Sequence, residues 1–179
     1  MTHSEHISFL AKAIPEDSGG IWADLGSGEG AFTLALRDLA GDEAIIYSID
    51  TNRERIDIQK RIFAEKFPNS SIHFLIADFT QSLPLPPLDG IIMANSLHFI
   101  KDQQSFLVQI RNYLKPHGKL ILVEYNVDKG NQWVPYPLSF NTFSQLALNS
   151  GYVKPIILEK KPSHFLDEIY SALTYTTRP

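Results

Sequence analysis

Two acids and three glycines in the first third of the chain raise the first chemical question. Gly26, Gly28 and Gly30 alternate within DLGSGEG, Asp24 stands two places ahead of the first, and Asp50 lies 20 residues beyond the last. Glycines in a turn permit φ > 0 and let backbone approach a ligand closely. A helix start directly after them offers N–H donors. An acid at the end of the next strand accepts the hydroxyls of a ribose. All of this fits a nicotinamide dinucleotide as well as an adenosyl ligand, because GSGEGA also satisfies G-x-G-x-x-A. Asp24 separates the two. A buried carboxylate at the turn repels pyrophosphate and attracts a ligand carrying an ammonium group, directly or through a water.

The elements that must hold these residues follow from hydrophobic period. Ser4 to Ile14 has helical spacing and stops at Pro15. Ile21–Gly26 is a short apolar run, hence a buried strand, and Glu29–Ala40 is a helix ended by Gly41. Ala44–Asp50 is a strand, Arg53–Phe67 an amphipathic helix, and Ile72–Phe79 a strand. Three prolines make Ser82–Leu88 an irregular crossover. Asp89–Ser96 is a strand, Lys101–Leu114 a helix, Lys115–Gly118 a turn and Lys119–Asn126 a fifth strand. A loop rich in proline and aromatic residues follows, then a helix over Phe140–Ser150 and two strands, Val153–Lys160 and Phe165–Thr177. Alternating strands and helices with continuously apolar strands imply a parallel sheet covered on both faces. The last two strands lie too close together for a crossover helix and must be antiparallel neighbours. The expected fold is therefore α/β: a doubly wound, Rossmann-like, mostly parallel seven-stranded sheet with an antiparallel last strand and helices on both faces. It forms a single domain over 1–179, with residues 1–20 as an N-terminal helical extension.

Composition narrows the classes. The chain has 179 residues, enough for one sizeable core. It has no cysteine, which excludes disulfides, thiolate zinc sites and cysteine nucleophiles. The net charge of −4 argues against a general nucleic-acid footprint. The basic residues of Arg53–Lys66 are interleaved with Glu54, Asp57 and Glu65 and read as a solvated helix face. No apolar stretch approaches the ~18–20 residues of a membrane span, and the N-terminus lacks the basic and apolar regions of a signal peptide. The default location is cytoplasmic, with no membrane partner.

The motifs together resemble the class I, Rossmann-like, S-adenosylmethionine-dependent methyltransferases over roughly residues 20–177. DLGSGEG resembles that family's D/E-x-G-x-G-x-G motif, and YSID, ending at Asp50, its ribose-binding acid. IADF, with Asp78 and Phe79, resembles the adenine-binding segment after the third strand. ANSLHF sits where the fourth-strand motif lies, and LKPHGKLILVEYN resembles the L-K-P-G-G-x-L turn and fifth strand, with His117 where glycine is commoner. The resemblance implies S-adenosylmethionine as cofactor, a ligand with an α-ammonium, a sulfonium and no phosphate. The residues that would hold it are Asp24, Gly26, Ser27, Gly28, Gly30, Asp50, Thr51, Asp78, Phe79 and Asn95. It also implies in-line methyl transfer to a small-molecule acceptor lying beyond the fourth and fifth strands, with no metal needed.

On that side His98 and Glu124 are the ordinary base candidates, and Tyr125, Asn126, Trp133 and Tyr136 are candidates for acceptor binding. Glu124, an acid near the end of the apolar strand ILVEY, needs a partner if buried; it either binds a polar acceptor or pairs with a structural residue. Likewise Asp78 either meets the adenine or ends a strand in an Asx-turn.

The chain has NSLH in place of N/D-P-P-Y/F, which disfavours amino-methyltransferases of DNA bases or glutamine side chains. Few residues are available to close an acceptor pocket, so the pocket is open, or closed by a second subunit in a homodimer, or the acceptor is larger. A nicotinamide-dependent oxidoreductase and a non-catalytic S-adenosylmethionine-binding module are the rival readings.

Overall fold

The computed structural model describes residues 1–177, so the last two residues of the expected domain lie outside the description. Its centre is one sheet of seven strands in the order β3-β2-β1-β4-β5-β7-β6. The strands are β1 (Ile21–Leu25), β2 (Ile45–Asp50), β3 (Ser71–Ile76), β4 (Leu88–Ala94), β5 (Leu114–Tyr125), β6 (Ile156–Pro162) and β7 (Glu168–Tyr175). β1 to β5 pair in parallel, and β7 runs antiparallel to both β5 and β6. Six strands thus share one direction and the last opposes them, as the hairpin spacing required.

Side-chain alternation sends neighbouring residues to opposite faces. Ala23, Ile91, Met93, Leu120 and Leu122 join the core under α4 (Gln103–Arg111) and α5 (Phe140–Asn149). Trp22, Ile92, Ile121 and Val123 join the other core, under α1 (His3–Leu10) and α2 (Ala31–Ala40). α3 (Arg53–Lys66) adds Ile56 and Phe63, and Phe63 meets Phe74 of β3 edge-on at 5.7 Å. No helix among the described residues is long and apolar enough to cross a membrane.

Several element ends differ from the sequence expectation, each for a local reason. α1 stops at Leu10, four residues early, because residues 11–14 close a tighter turn (Ala13 N–H to Leu10 O, 2.8 Å) ahead of Pro15, which disfavours helix at Ile14. β3 stops at Ile76, before Asp78 turns the chain. Lys115–Gly118 does turn, but inside β5: the β4 pairing jumps from Leu114 to Lys119 and His117 has φ 61°. At the end of the chain β6 starts at Ile156, and Phe165 lies in the β6–β7 turn, outside β7.

The sheet places the site. β1 lies between β2 and β4, so the connections leaving β1 and β4 diverge at their carboxyl ends. That switch point is where such sheets bind ligands. A cavity of about 390 Å³ lined by Arg111, Lys115 and Thr176 lies at the opposite edge, against the start of the Leu114–Asn126 motif, and contains none of the expected site residues.

Candidate active site

The glycine turn is locked from inside the protein. Gly26, Gly28 and Gly30 have φ of 79°, 56° and 87°. The amides of Gly26 and Ser27 both donate to Ile49 O, at 2.9 and 3.0 Å, and that of Gly30 to Ser27 O at 2.9 Å. The Gly28 amide donates to Asp50 Oδ2 at 2.9 Å. A phosphate cradle needs free amides, and these four are spent. The glycines serve different purposes. A Cβ on Gly26 would come within 2.5 Å of Ser96 Cβ and 3.1 Å of the Phe79 ring, and one on Gly30 within 2.7 Å of Gln59. A Cβ on Gly28 would meet nothing within 4 Å, so Gly28 is where backbone faces open space.

Four polar side chains with little signature in the sequence hold this turn. Gln59, fully buried on α3, donates to Ser27 Oγ (2.9 Å) and Gly28 O (2.7 Å) and accepts from Ser48 Oγ (2.7 Å). Ser96 Oγ donates to Leu25 O at 2.7 Å, tying the end of β4 to that of β1. Thr33 Oγ1, one turn into α2, donates to Asp24 Oδ2 at 2.7 Å. The one available signal was Gln59 itself, a polar residue at the Ile56–Gln59–Phe63 spacing of α3's buried face.

Asp24 is enclosed, with 1% exposure, and among the described residues only its Oδ2 takes a hydrogen bond. Burial pushes its carboxyl up to about 7; the Thr33 hydrogen bond opposes the rise and the nearby Asp50 adds to it. Two carboxylates this close favour a cation between or beside them. Asn95, just past β4, has φ 52°, and its Oδ1 is buried with no partner. That orphan acceptor fits an ammonium donor. Asp50 has Oδ1 on the Asn52 amide and Oδ2 on the Gly28 amide, both 2.8–2.9 Å, and a carboxylate retains further lone pairs for ribose hydroxyls. The residues present therefore fit S-adenosylmethionine: an acidic pocket with an unsatisfied acceptor suits its ammonium group.

The remaining expected contacts divide. Ser27 turns its hydroxyl inward to Gln59 and Ser48. Thr51 is exposed beside Asp50, and the next residue, Asn52, caps α3. Asp78 does form an Asx-turn, its Oδ1 accepting from the Thr80 amide (2.9 Å) and hydroxyl (2.7 Å), while the residue stays exposed. Phe79 stands beside Gly26 and meets Phe106 edge-on at 5.7 Å.

At the far side of Ser96 the chain makes a single 3₁₀ turn, Leu97–Phe99, which carries His98 onto the end of β5. His98 and Glu124 are 3% and 0% exposed, and Nδ1 lies 2.8 Å from Oε2. Oε1 accepts the His98 amide at 3.2 Å. Both oxygens of Glu124 thus accept from His98, and its full burial supports the pairing role of the two the sequence allowed. A carboxylate only accepts, so Nδ1 is the donor, and in the neutral imidazole Nε2 then carries the lone pair. Nε2 makes no hydrogen bond and is not among the fully enclosed polar atoms left unpartnered.

Of the expected acceptor-binding residues, Tyr125 has its ring 6.3 Å from that of His98. Tyr136 is anchored through its amide to His98 O at 3.0 Å, with its side chain half-exposed. Trp133 is 66% exposed on the same loop. Asn126 spends its side chain on structure, donating to Glu168 Oε1 (2.6 Å) and accepting the Phe140 amide (2.9 Å).

A doubly wound sheet with 3-2-1-4-5-7-6 order, an acid-flanked glycine turn after β1 and an acid at the end of β2 are the features of a Rossmann-like S-adenosylmethionine-dependent methyltransferase. The chain belongs to that class by sequence as well: residues 16–168 match the family model described as a methyltransferase domain. This overturns the oxidoreductase reading. It is 27% identical over 108 residues to a ubiquinone/menaquinone biosynthesis C-methyltransferase UbiE from Shewanella frigidimarina, a match spanning 59% of this chain and 43% of the relative. The matched region thus spans less than half the length of this curated relative. The fold is similar to that of the YcgJ protein from Bacillus subtilis (TM-score 0.78, 12% identity, 99% of this chain and 100% of that one). It is also similar to a 1,6-didemethyltoxoflavin-N1-methyltransferase from Burkholderia thailandensis, solved with that molecule and S-adenosylhomocysteine bound (TM-score 0.77, 13% identity, 98% of this chain and 78% of that one). The comparisons give no support to a homodimer, one of the three arrangements the short chain allowed for the acceptor pocket.

Proposed function

We propose that the chain transfers a methyl group from S-adenosylmethionine to a small-molecule acceptor, with His98 as the general base and Glu124 as the residue that positions it. The observation that carries this reading is the buried His98–Glu124 pair, which keeps one imidazole nitrogen unbonded two residues from the Ser96 that packs on the glycine turn. When bound, S-adenosylmethionine supplies an electrophilic methyl group: the acceptor's lone pair takes the carbon in line as the S–CH₃ bond breaks and its electron pair stays on sulfur as a thioether.

The chain's own residues do the rest. Asp24 and the Asn95 side chain hold the ammonium end, Asp50 the ribose, and the segment of Asp78 and Phe79 the adenine. Nε2 of His98 receives the proton that the acceptor loses, and Glu124 stabilises the resulting imidazolium through Nδ1–H. Small-molecule acceptors are supported by the relatives, one named for quinone biosynthesis and one solved with 1,6-didemethyltoxoflavin.

The test is S-adenosylhomocysteine release over a panel of small hydroxyl, amine and carbon acceptors, together with calorimetric binding of S-adenosylhomocysteine. Binding plus turnover that His98→Asn lowers by about 10²–10⁴-fold is the expected result. Binding without turnover on any acceptor would reduce the protein to a binding module, and absence of binding would overturn the reading altogether.

A further inference from the structure

The side chains beyond His98 specify more than a generic acceptor. Phe99, Trp133, Tyr136 and Phe165 are 59%, 66%, 41% and 50% exposed. All four lie on segments that leave the carboxyl ends of β4, β5 and β6, which point the same way, so the topology gathers them at one edge of the sheet. Ring contacts connect three aromatics to the base. The Phe99 ring lies 4.3 Å from that of His98, Tyr125 lies 6.3 Å from His98, and Phe165 lies 5.7 Å from Tyr125. Two acids near these segments are paired: Glu168 with Lys160 at 2.7 Å, and Asp128 with the Ser139 amide at 2.9 Å.

Aromatic faces favour planar π-systems in offset or edge-on contact. The base has its own preference. A neutral imidazole removes a proton efficiently only when the acidity gap is modest. A phenol-type hydroxyl, with a pKa near ~10, meets that condition far better than an aliphatic one.

We propose that the acceptor is a planar aromatic molecule bearing a ring hydroxyl, held by Phe99, Tyr125 and Phe165 with that hydroxyl at Nε2 of His98. The inference rests on the methyltransferase reading above and names its substrate class. The hydroxyl proton passes to Nε2, and the oxygen it leaves becomes the nucleophile that takes the methyl group. Tyr125, whose phenol is held above its ordinary value by burial and by the neighbouring Glu124, stays neutral and acts as an aromatic wall.

The test compares 2-naphthol with decahydro-2-naphthol, which keeps the size and hydroxyl but loses planarity and acidity. Binding is measured by calorimetry on protein saturated with S-adenosylhomocysteine, and turnover by S-adenosylhomocysteine release. The expected result is binding and methylation of 2-naphthol alone. Phe99→Ala and Phe165→Ala should each raise KM for it about fivefold or more, with affinity for S-adenosylhomocysteine unchanged. Both residues are at least half-exposed, so these variants fold. Equal binding of the saturated alcohol, naphthol binding indifferent to both substitutions, or no naphthol binding to protein that does bind S-adenosylhomocysteine would each overturn the proposal. Failure to bind S-adenosylhomocysteine at all would instead sink the methyltransferase reading on which it stands.

Discussion

The two ends of the site are built on opposite plans. Around the glycine turn many polar atoms are paired within the protein: four amides, both Ser hydroxyls of the Ser27–Ser48–Gln59 cluster and both oxygens of Asp50. What remains for a ligand is a small set of acceptors, Asp24 Oδ1 and Asn95 Oδ1 among them. Around His98 only the supporting side is paired, and the opposite nitrogen and the surrounding aromatic rings are left uncommitted. A fixed ligand suits the first plan, because a rigid, satisfied loop loses little entropy on binding. The second plan suits an acceptor recognised by shape and acidity.

Substitutions can break this contrast, and the largest effect belongs to the open end. His98→Asn should lower kcat by about 10²–10⁴-fold, the usual range for a general base, while leaving S-adenosylmethionine affinity intact. Glu124→Gln should act in the same direction through His98 and shift the pH–rate profile, which steady-state kinetics over pH 5–9 will show.

At the closed end the effect is on stability and donor affinity together. Gly26→Ala drives a Cβ into Ser96 and should destabilise by about 1–3 kcal/mol. Gly28→Ala meets no atom and should cost only the roughly 1 kcal/mol of its left-handed backbone. Thermal unfolding separates them. Gln59→Leu removes the donor to Gly28 O and leaves the Ser27 and Ser48 hydroxyls only each other; it should cost about 1–3 kcal/mol, with weaker S-adenosylhomocysteine binding because the turn is no longer held.

A smaller effect sharpens the comparison through pH. Asp24 must ionise to serve a cation, and its carboxyl sits at about 7. Donor affinity should therefore rise about tenfold between pH 6 and pH 8, as the ionised fraction does. Stability without ligand should move oppositely. The folded value lies above the unfolded one, so the folded state holds more protons between about pH 4 and 7 and stability falls as pH rises through that window. Asp24→Asn should remove both dependences. Smallest of all, Trp133→Ala should change stability by less than about 0.5 kcal/mol, because its side chain is largely solvated.

How much of this was legible in the sequence follows the same divide. The donor end is written contiguously: Asp24 to Gly30 is one strand–turn–helix junction, and Asp50 ends the next strand, so local patterning placed them. The buried network could not be read the same way, because Gln59, Ser48 and Thr33 come from three elements and become partners only when α3 and α2 pack on the sheet. At the acceptor end both members of the pair were visible as residue types. Their relation was not, since His98 and Glu124 lie 26 residues apart and meet only because β4 and β5 are adjacent. Phe165 was read as strand; its place at the rim depends on where the β6–β7 turn falls, which period-2 alternation does not fix.

The most direct test of the account is calorimetric binding of S-adenosylhomocysteine to the unaltered chain, to Asp50→Ala and to His98→Asn. The account predicts equal binding by the unaltered chain and His98→Asn, and at least tenfold weaker binding by Asp50→Ala. No binding by the unaltered chain, or a loss on changing His98 while Asp50→Ala binds normally, would contradict it.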